Sequence, residues 1–330
     1  MPIQQRSLGP FTVSAIGLGC MNVSHAYGVP PTQEAAEALL RQAFDEGVTH
    51  FDTAALYGFG KNEEVVGATL KPVRDKIILA SKCGMTGVDG KRVIDGRPET
   101  LKATCEASLA RLQTEVIDLY TLHRWDKQVP IEDSVGALAD LVQAGKIRAI
   151  GLSEVSSETL RRAHAVHPIA AVQSEYSLWT RDPEPRLLAT CAELGTAFVA
   201  FSPVGRGILA GGIAPQPQFA PGDIRLAMPR FAQPHLAANL AQAERFAALA
   251  REWGYSPAQA ALAWLLAKGP HILPIPGTAN PTHLTENNSA AKIVLTPAQV
   301  AALDALYAPE TVQGPRYAPA VMAEIDPDRP

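Results

Sequence analysis

Residues 50–58 read H-F-D-T-A-A-L-Y-G, so Asp52 and Tyr57 lie five positions apart where an apolar stretch breaks into a glycine-containing loop. A phenol placed this way suggests proton donation, yet tyrosine has a pKa near ~10 and gives up its proton poorly at neutral pH. A catalyst built on it needs a nearby charge that stabilises the phenolate. Lys82 is a candidate cation at the end of the strand-like run I-I-L-A-S-K, and His123 closes a further run, V-I-D-L-Y-T-L-H. Four ionisable residues therefore fall at the ends of three successive predicted strands, where a parallel barrel or a doubly wound sheet assembles its chemistry. Taken singly, each has an ordinary reading as an ion pair, a pocket-rim phenol or a satisfied core histidine. As a set they converge on one reaction class.

The elements that must hold them are visible as eight strand-like runs, at 15–19, 50–52, 77–82, 116–123, 147–153, 169–174, 197–202 and 271–275. Most are almost wholly apolar, as strands buried on both faces are, and they alternate with segments of helical period. Ala36, Leu39, Leu40, Ala43 and Phe44 form one helical stripe that ends at Gly47. Pro98 fits a first helical position ahead of Leu101, Cys105, Leu109 and Leu112, and further stripes close at Gly145 and Gly195. Eight such alternations fit an α/β fold of the closed (β/α)8 TIM-barrel type, with an open sheet of the same strand count as the alternative. The turn-like Gly9-Pro10 predicts an N-terminal hairpin covering the barrel's bottom, and residues beyond the eighth strand form a C-terminal extension. Two connections are long, 83–96 and 203–237, and loops of that length are commonly functional. With no fixed-period repeat and no Ser-rich linker, residues 1–330 read as one domain.

Composition narrows the partners. The chain is 47% hydrophobic with a formal charge of -4 and no basic block, which removes the electrostatic footprint of a nucleic-acid binder. No eighteen apolar residues run together and no export signal is visible, so neither a membrane span nor secretion is expected. Cys20, Cys83, Cys105 and Cys191 are widely spaced without a C-x-x-C pair, which fits a reducing, cytoplasmic compartment and argues against structural zinc or a disulfide framework.

Seven motifs in order resemble the aldo-keto reductases: the stretch around Asp52 and Tyr57, the strands ending in Lys82 and His123, G-L-S at 151–153, V-Q-S-E-Y at 172–176, F-S-P-V-G-R-G at 201–207, and P-I-P-G-T with the later E-N between 274 and 287. The H-R-W-D after the fourth strand and the V-Q-G-P-R-Y near the C-terminus are similar to the bacterial and plant branch. The resemblance implies a catalytic tetrad of Asp52, Tyr57, Lys82 and His123, with Tyr57 as proton donor to a carbonyl that accepts hydride. Lys82, held by Asp52, would favour the phenolate, and His123 would orient the carbonyl oxygen. Because side chains cannot supply hydride, a nicotinamide is implied. Two phosphate motifs fail on inspection. Gly17-Leu18-Gly19-Cys20-Met21-Asn22 ends in Asn where a dinucleotide fingerprint needs glycine, and near residue 84 Met85 stands at a P-loop's first glycine and Arg92 at its Ser/Thr position.

The resemblance instead places the cofactor over the barrel mouth, with Ser153 and Gln173 on the carboxamide and Phe201 stacked on the ring. Gly19, Cys20, Met21 and Asp52 complete that end. Ser202, Pro203, Val204, Gly205 and Gly207 would let backbone N–H groups approach the pyrophosphate. Ile275, Gly277, Thr278, His283, Glu286 and Asn287 would meet the adenosine end. Two departures from the family pattern stand out: Glu154 where relatives carry Asn, and Gly277 and His283 where relatives that grip the extra phosphate use Lys and Arg. NADP(H) is the expected cofactor, with NAD(H) as rival. Met21, Asn22, Tyr57, His123 and Trp125 are candidates for contact with a small carbonyl substrate, in a pocket expected to be apolar and edged by aromatics. Two other readings are a nicotinamide-sensing regulatory subunit of the same fold and a Schiff-base aldolase using Lys82. Oligomeric state has no signature in the sequence.

Overall fold

The structure, a computed structural model, describes residues 3–24, 26–88 and 90–328. An antiparallel hairpin opens the chain: β1 (Gln5–Leu8) and β2 (Phe11–Ser14) are joined by Gly9 and Pro10. The barrel strands follow as β3 (Leu18–Gly19), β4 (His50–Asp52) and β5 (Ile78–Cys83). A second hairpin, β6 (Met85–Val88) and β7 (Lys91–Ile94), interrupts them. The series then resumes with β8 (Ile117–Leu122), β9 (Ile147–Ser153), β10 (Ile169–Glu175), β11 (Ala197–Phe201) and β12 (Ile272–Pro274). The eight barrel strands pair in parallel in chain order. Gly17 N–H donates to Pro274 O at 3.0 Å and Gly19 N–H to Pro276 O at 3.3 Å, so the last strand meets the first and the (β/α)8 cylinder closes.

Each predicted strand has its counterpart, though the first is only two residues long, and the connection read as a loop at 83–96 contains the β6–β7 hairpin. The stripe beginning at Ala36 lies on the helix Gln33–Asp45, started by the Thr32 hydroxyl accepting from Ala35 N–H. It stops where Gly47, at φ 96°, donates to Phe44 O while Val48 N–H reaches Ala43 O, a Schellman ending that needs a left-handed residue.

Inside the cylinder the lower layer is built from small residues, Ala80, Ala149, Ala171 and Ala197, with Leu119, Val199 and Leu273. That leaves room for Leu8, Phe11 and Val13 of the hairpin to pack upward as a plug. Burying each of those side chains is worth roughly 1.5–3 kcal/mol. Sealing one end leaves the strand C-termini as the open mouth. The register aligns them there: Asp52 pairs with Ala80, Lys82 with Thr121, Gln173 with Ser153, and Glu175 with Phe201. Among the described residues no helix is long and apolar enough to cross a membrane, and all four cysteines are buried without a disulfide.

Candidate active site

Asp52 ends β4, Lys82 is the penultimate residue of β5, His123 directly follows β8, and Tyr57 begins the short helical turn beyond β4. Parallel pairing brings these four positions together. The Lys82 ammonium is wholly buried, forms an ion pair with Asp52 Oδ1 and donates to Thr53 O at 2.9 Å. It also makes a longer contact, 3.4 Å, to the Tyr57 hydroxyl. The Tyr57 ring meets His123 edge-on with centroids 5.8 Å apart. The other Asp52 oxygen, Oδ2, accepts from Gln173 Nε2 at 2.8 Å, so the carboxylate is fixed from two sides.

Burial disfavours the Lys82 ammonium, but Asp52 and Tyr57 outweigh it and hold the pKa above its ordinary value. Burial also pushes the Tyr57 phenol up, beyond what Lys82 and Arg124 take back. The sequence suggested a phenol made acidic; in the structure desolvation wins and the phenol keeps its proton at neutral pH. His123 is driven well below its ordinary value by burial, with Lys82, Arg124 and Arg92 adding in the same direction, so its ring is neutral there.

These groups line the floor of a cavity of about 1280 Å³, with Lys82 beneath it. Gly19, Met21, Asn22, Ser153, Gln173, Phe201, Ser202, Pro203, Val204, Gly207, Ile275, Gly277, Thr278, His283, Glu286 and Asn287 also line it, from the ends of β3, β9, β10, β11 and β12 and the segments that follow them. Ser153 Oγ accepts from Arg124 Nη1 at 3.2 Å and Gln173 spends an N–H on Asp52. Among the groups they retain are the Ser153 hydroxyl proton and the Gln173 amide oxygen, a donor and an acceptor. That pair complements a primary carboxamide, which offers an oxygen and an NH2 group. At the cavity's far side the helix Pro281–Ser289 begins at Asn280, whose side chain accepts from Thr282 N–H, and Thr278 Oγ1 accepts from Asn280 N–H at 3.0 Å. A helix start lined by hydroxyl, amide and imidazole groups suits phosphate. The donor set thus fits a nicotinamide dinucleotide.

A family model described as the aldo/keto reductase family matches residues 15–308. The chain belongs to this family. It is 44% identical over 301 residues to the probable aldo-keto reductase 1 of Glycine max, covering 89% of this chain and 86% of that protein. Among solved structures it is similar to the glycerol dehydrogenase of Gluconobacter oxydans at 30% identity and a TM-score of 0.84, covering 96% and 97% of the two chains. It is also similar to an aldo-keto reductase of Klebsiella pneumoniae in complex with NADPH, at 29% identity and a TM-score of 0.72, covering 96% and 99%. Aldo-keto reductases are oxidoreductases that act on small carbonyl compounds with nicotinamide cofactors.

In this aldo-keto reductase some nominated residues fall elsewhere. Cys20, Gly205 and Trp125 are not part of the cavity wall. Cys20 is fully buried behind it, and the Trp125 indole N–H turns to Val129 O at 2.9 Å. Gly205 and Gly207 N–H already donate to Ser202 O and Val204 O, so the glycines supply a left-handed turn rather than two free donors. Glu154 takes no part in the wall either: its carboxylate pairs with Arg316 of the tail and accepts from Glu175 N–H at 2.9 Å. Gly277 has a steric reason, since a Cβ there would lie 2.5 Å from Asn22 Oδ1 and 2.9 Å from Gly19 O. As expected, most of the pocket wall is apolar and aromatics edge it, Tyr27, Tyr57, Phe59, Phe201 and Tyr317 among them, but Arg92, Arg124, Arg206 and Arg225 line it too. The sequence reading missed these four and Tyr317. Arg206 and Tyr317 both bind Glu175, at 2.6 and 3.0 Å, which is held down to about 2 because Arg206 and Arg316 outweigh its burial.

Proposed function

We propose that this chain is a cytoplasmic NADPH-dependent reductase that converts aldehydes and ketones to alcohols, with Tyr57 as general acid. The observation that carries the reading is the buried Lys82 ammonium, ion-paired to Asp52 and 3.4 Å from the Tyr57 hydroxyl on the cavity floor. A reduced nicotinamide supplies hydride when bound. The protein's part is to receive the carbonyl oxygen. Tyr57 gives it a proton, and Lys82 offsets the charge left on the phenol, being positioned before any charge develops. His123, neutral and edge-on to Tyr57, orients the oxygen through a ring N–H. Ser153 and Gln173 hold the carboxamide with the donor and acceptor they retain, and Phe201 covers the ring face.

NADPH is preferred over NADH in this reading, supported by the NADPH complex of the Klebsiella relative and by the hydrogen-bonding helix start at Thr278 to His283. An imine-forming lysine would need a neutral, accessible amine. Lys82 is buried, ion-paired and held above its ordinary pKa, which disfavours an aldolase.

Titration with both cofactors followed by aldehyde turnover tests the assignment. Tyr57→Phe should keep NADPH affinity and lose turnover by about 10²-fold to 10⁴-fold. Retained turnover in that variant would refute Tyr57 as the acid, and absence of turnover in the wild type would favour a regulatory, nicotinamide-sensing subunit.

A further inference from the structure

Of the four guanidiniums on the cavity wall, three are compensated. Arg92 pairs with Glu324, Arg206 with Glu175, and Arg225 with Asp223. Arg124 has no ion-pair partner among the described residues. It is 8% exposed, its Nη1 donates to His123 O at 2.7 Å and to Ser153 Oγ at 3.2 Å, and its Nε is buried without a hydrogen-bond partner. Withdrawing a cation from water without a counter-charge is costly, and a guanidinium cannot relieve that cost by losing its proton. Neutral acceptors recover only part of it. An anion entering the cavity would supply the rest.

The location says which anion. Arg124 adjoins His123 in the chain and binds the hydroxyl of Ser153, so its charge stands beside the carbonyl-receiving end of the cavity. Its field reaches both the His123 ring and the Tyr57 phenol. A negative group held there would belong to the molecule whose carbonyl faces Tyr57. A planar guanidinium matches a carboxylate in shape and hydrogen-bonding capacity.

We propose that Arg124 is a specificity-determining residue that binds a substrate carboxylate, making small oxo acids, above all aldehydes bearing a carboxylate, the preferred substrates. This rests on the reductase reading above. The reduction balances as before: hydride from the reduced nicotinamide goes to the carbonyl carbon and a proton from Tyr57 to its oxygen, while the carboxylate is unchanged.

The test compares matched pairs at neutral pH with the full-length protein and NADPH: 4-oxobutanoate against butanal, and 4-carboxybenzaldehyde against benzaldehyde. Wild-type kcat/KM should favour the acid in at least one pair. In Arg124→Met that ratio should fall by about tenfold to a hundredfold, the scale of a charge-assisted hydrogen bond, mainly through KM. Arg124→Lys should recover part of the ratio, which a misfolded protein could not do. Turnover of the neutral aldehydes with no preference for acids, or an acid preference unmoved in Arg124→Met, overturns this proposal alone. A loss confined to NADPH affinity, with the ratio intact, also overturns it by assigning Arg124 to the cofactor. No turnover of any of the four compounds by the wild type sinks the reductase reading and this one with it.

Discussion

His50, the first residue of β4, is fully buried two positions before Asp52, and neither ring nitrogen has a hydrogen-bond partner. It packs against the chain at Gly17, where an added Cβ would come within 2.8 Å of His50 Nδ1. Burial pushes its pKa down to about 4, with Asp52 pulling it back up and Lys82 pressing it lower. In the unfolded chain the imidazole titrates near 6.5, so between pH 6.5 and pH 4 the unfolded state binds a proton that the folded state refuses. Stability tied to His50 is therefore complete above pH 6.5 and drains away as pH falls toward 4. The gap amounts to about 3 kcal/mol at pH 4. The assay is urea unfolding at pH 7.5 and pH 4.0 for the wild type and His50→Leu. Both lose stability in acid as other groups protonate, but the variant should lose about 3 kcal/mol less. Equal losses would refute the account of His50 as a buried neutral imidazole.

Arg316→Met removes the cation paired with the buried Glu154 carboxylate, and stranding such a charge should cost about 3 kcal/mol in urea unfolding. Because the adjacent Tyr317 lines the cavity, substrate KM should rise as well; adding Glu154→Gln should restore some stability, and strict additivity would rule out the ion pair as the cause. Gly67→Ala would normally stabilise a helix by about 1 kcal/mol. Here the new Cβ would meet the Leu112 backbone at 2.5 Å, forcing helices Lys61–Leu70 and Pro98–Leu112 apart, so a lower melting temperature is expected and a higher one would contradict this packing.

What the sequence made legible follows from what burial imprints on it. Strands such as 147–153 and 169–174 are sealed between a plugged interior and surrounding helices, so their residues read as apolar runs ending in polar groups at the mouth. The β6–β7 hairpin carries no such imprint: Val88, Lys91, Arg92 and Val93 are exposed, and G-V-D-G-K-R reads as loop. The convergence of Asp52, Tyr57, Lys82 and His123 was legible because three of them close or follow successive strands and Tyr57 lies in the turn just beyond the first. Arg206, Arg316 and Tyr317 were not, since each is ordinary in its own segment and gains meaning only when the barrel brings residues 154, 175, 206 and 316 within hydrogen-bonding distance, and Arg124 gains its place only when β9 brings Ser153 beside it. Trp125 was misplaced for a related reason. Chain adjacency to His123 does not fix direction in a loop, and the indole N–H found Val129 O instead.

The same charges account for backbone strain at the barrel mouth. Glu154 and Ser202 each follow the end of a strand at positive φ, 54° and 51°, and Arg206 lies four residues on at 57°. Left-handed backbone costs a non-glycine residue on the order of 1 kcal/mol or more. At Glu154 and Arg206 the turned backbone aims the side chain at a buried opposite charge, Arg316 in one case and Glu175 in the other. Those pairs fasten the tail beside β9 and β10 and bring Tyr317 to the cavity wall. If the pairs offset the strain, removing either charge should relax the turn as well as free the tail. Hydrogen exchange in Arg316→Met should then quicken both around residue 154 and across residues 309–322, whereas exchange confined to the tail would show that the turn at Glu154 holds without its partner.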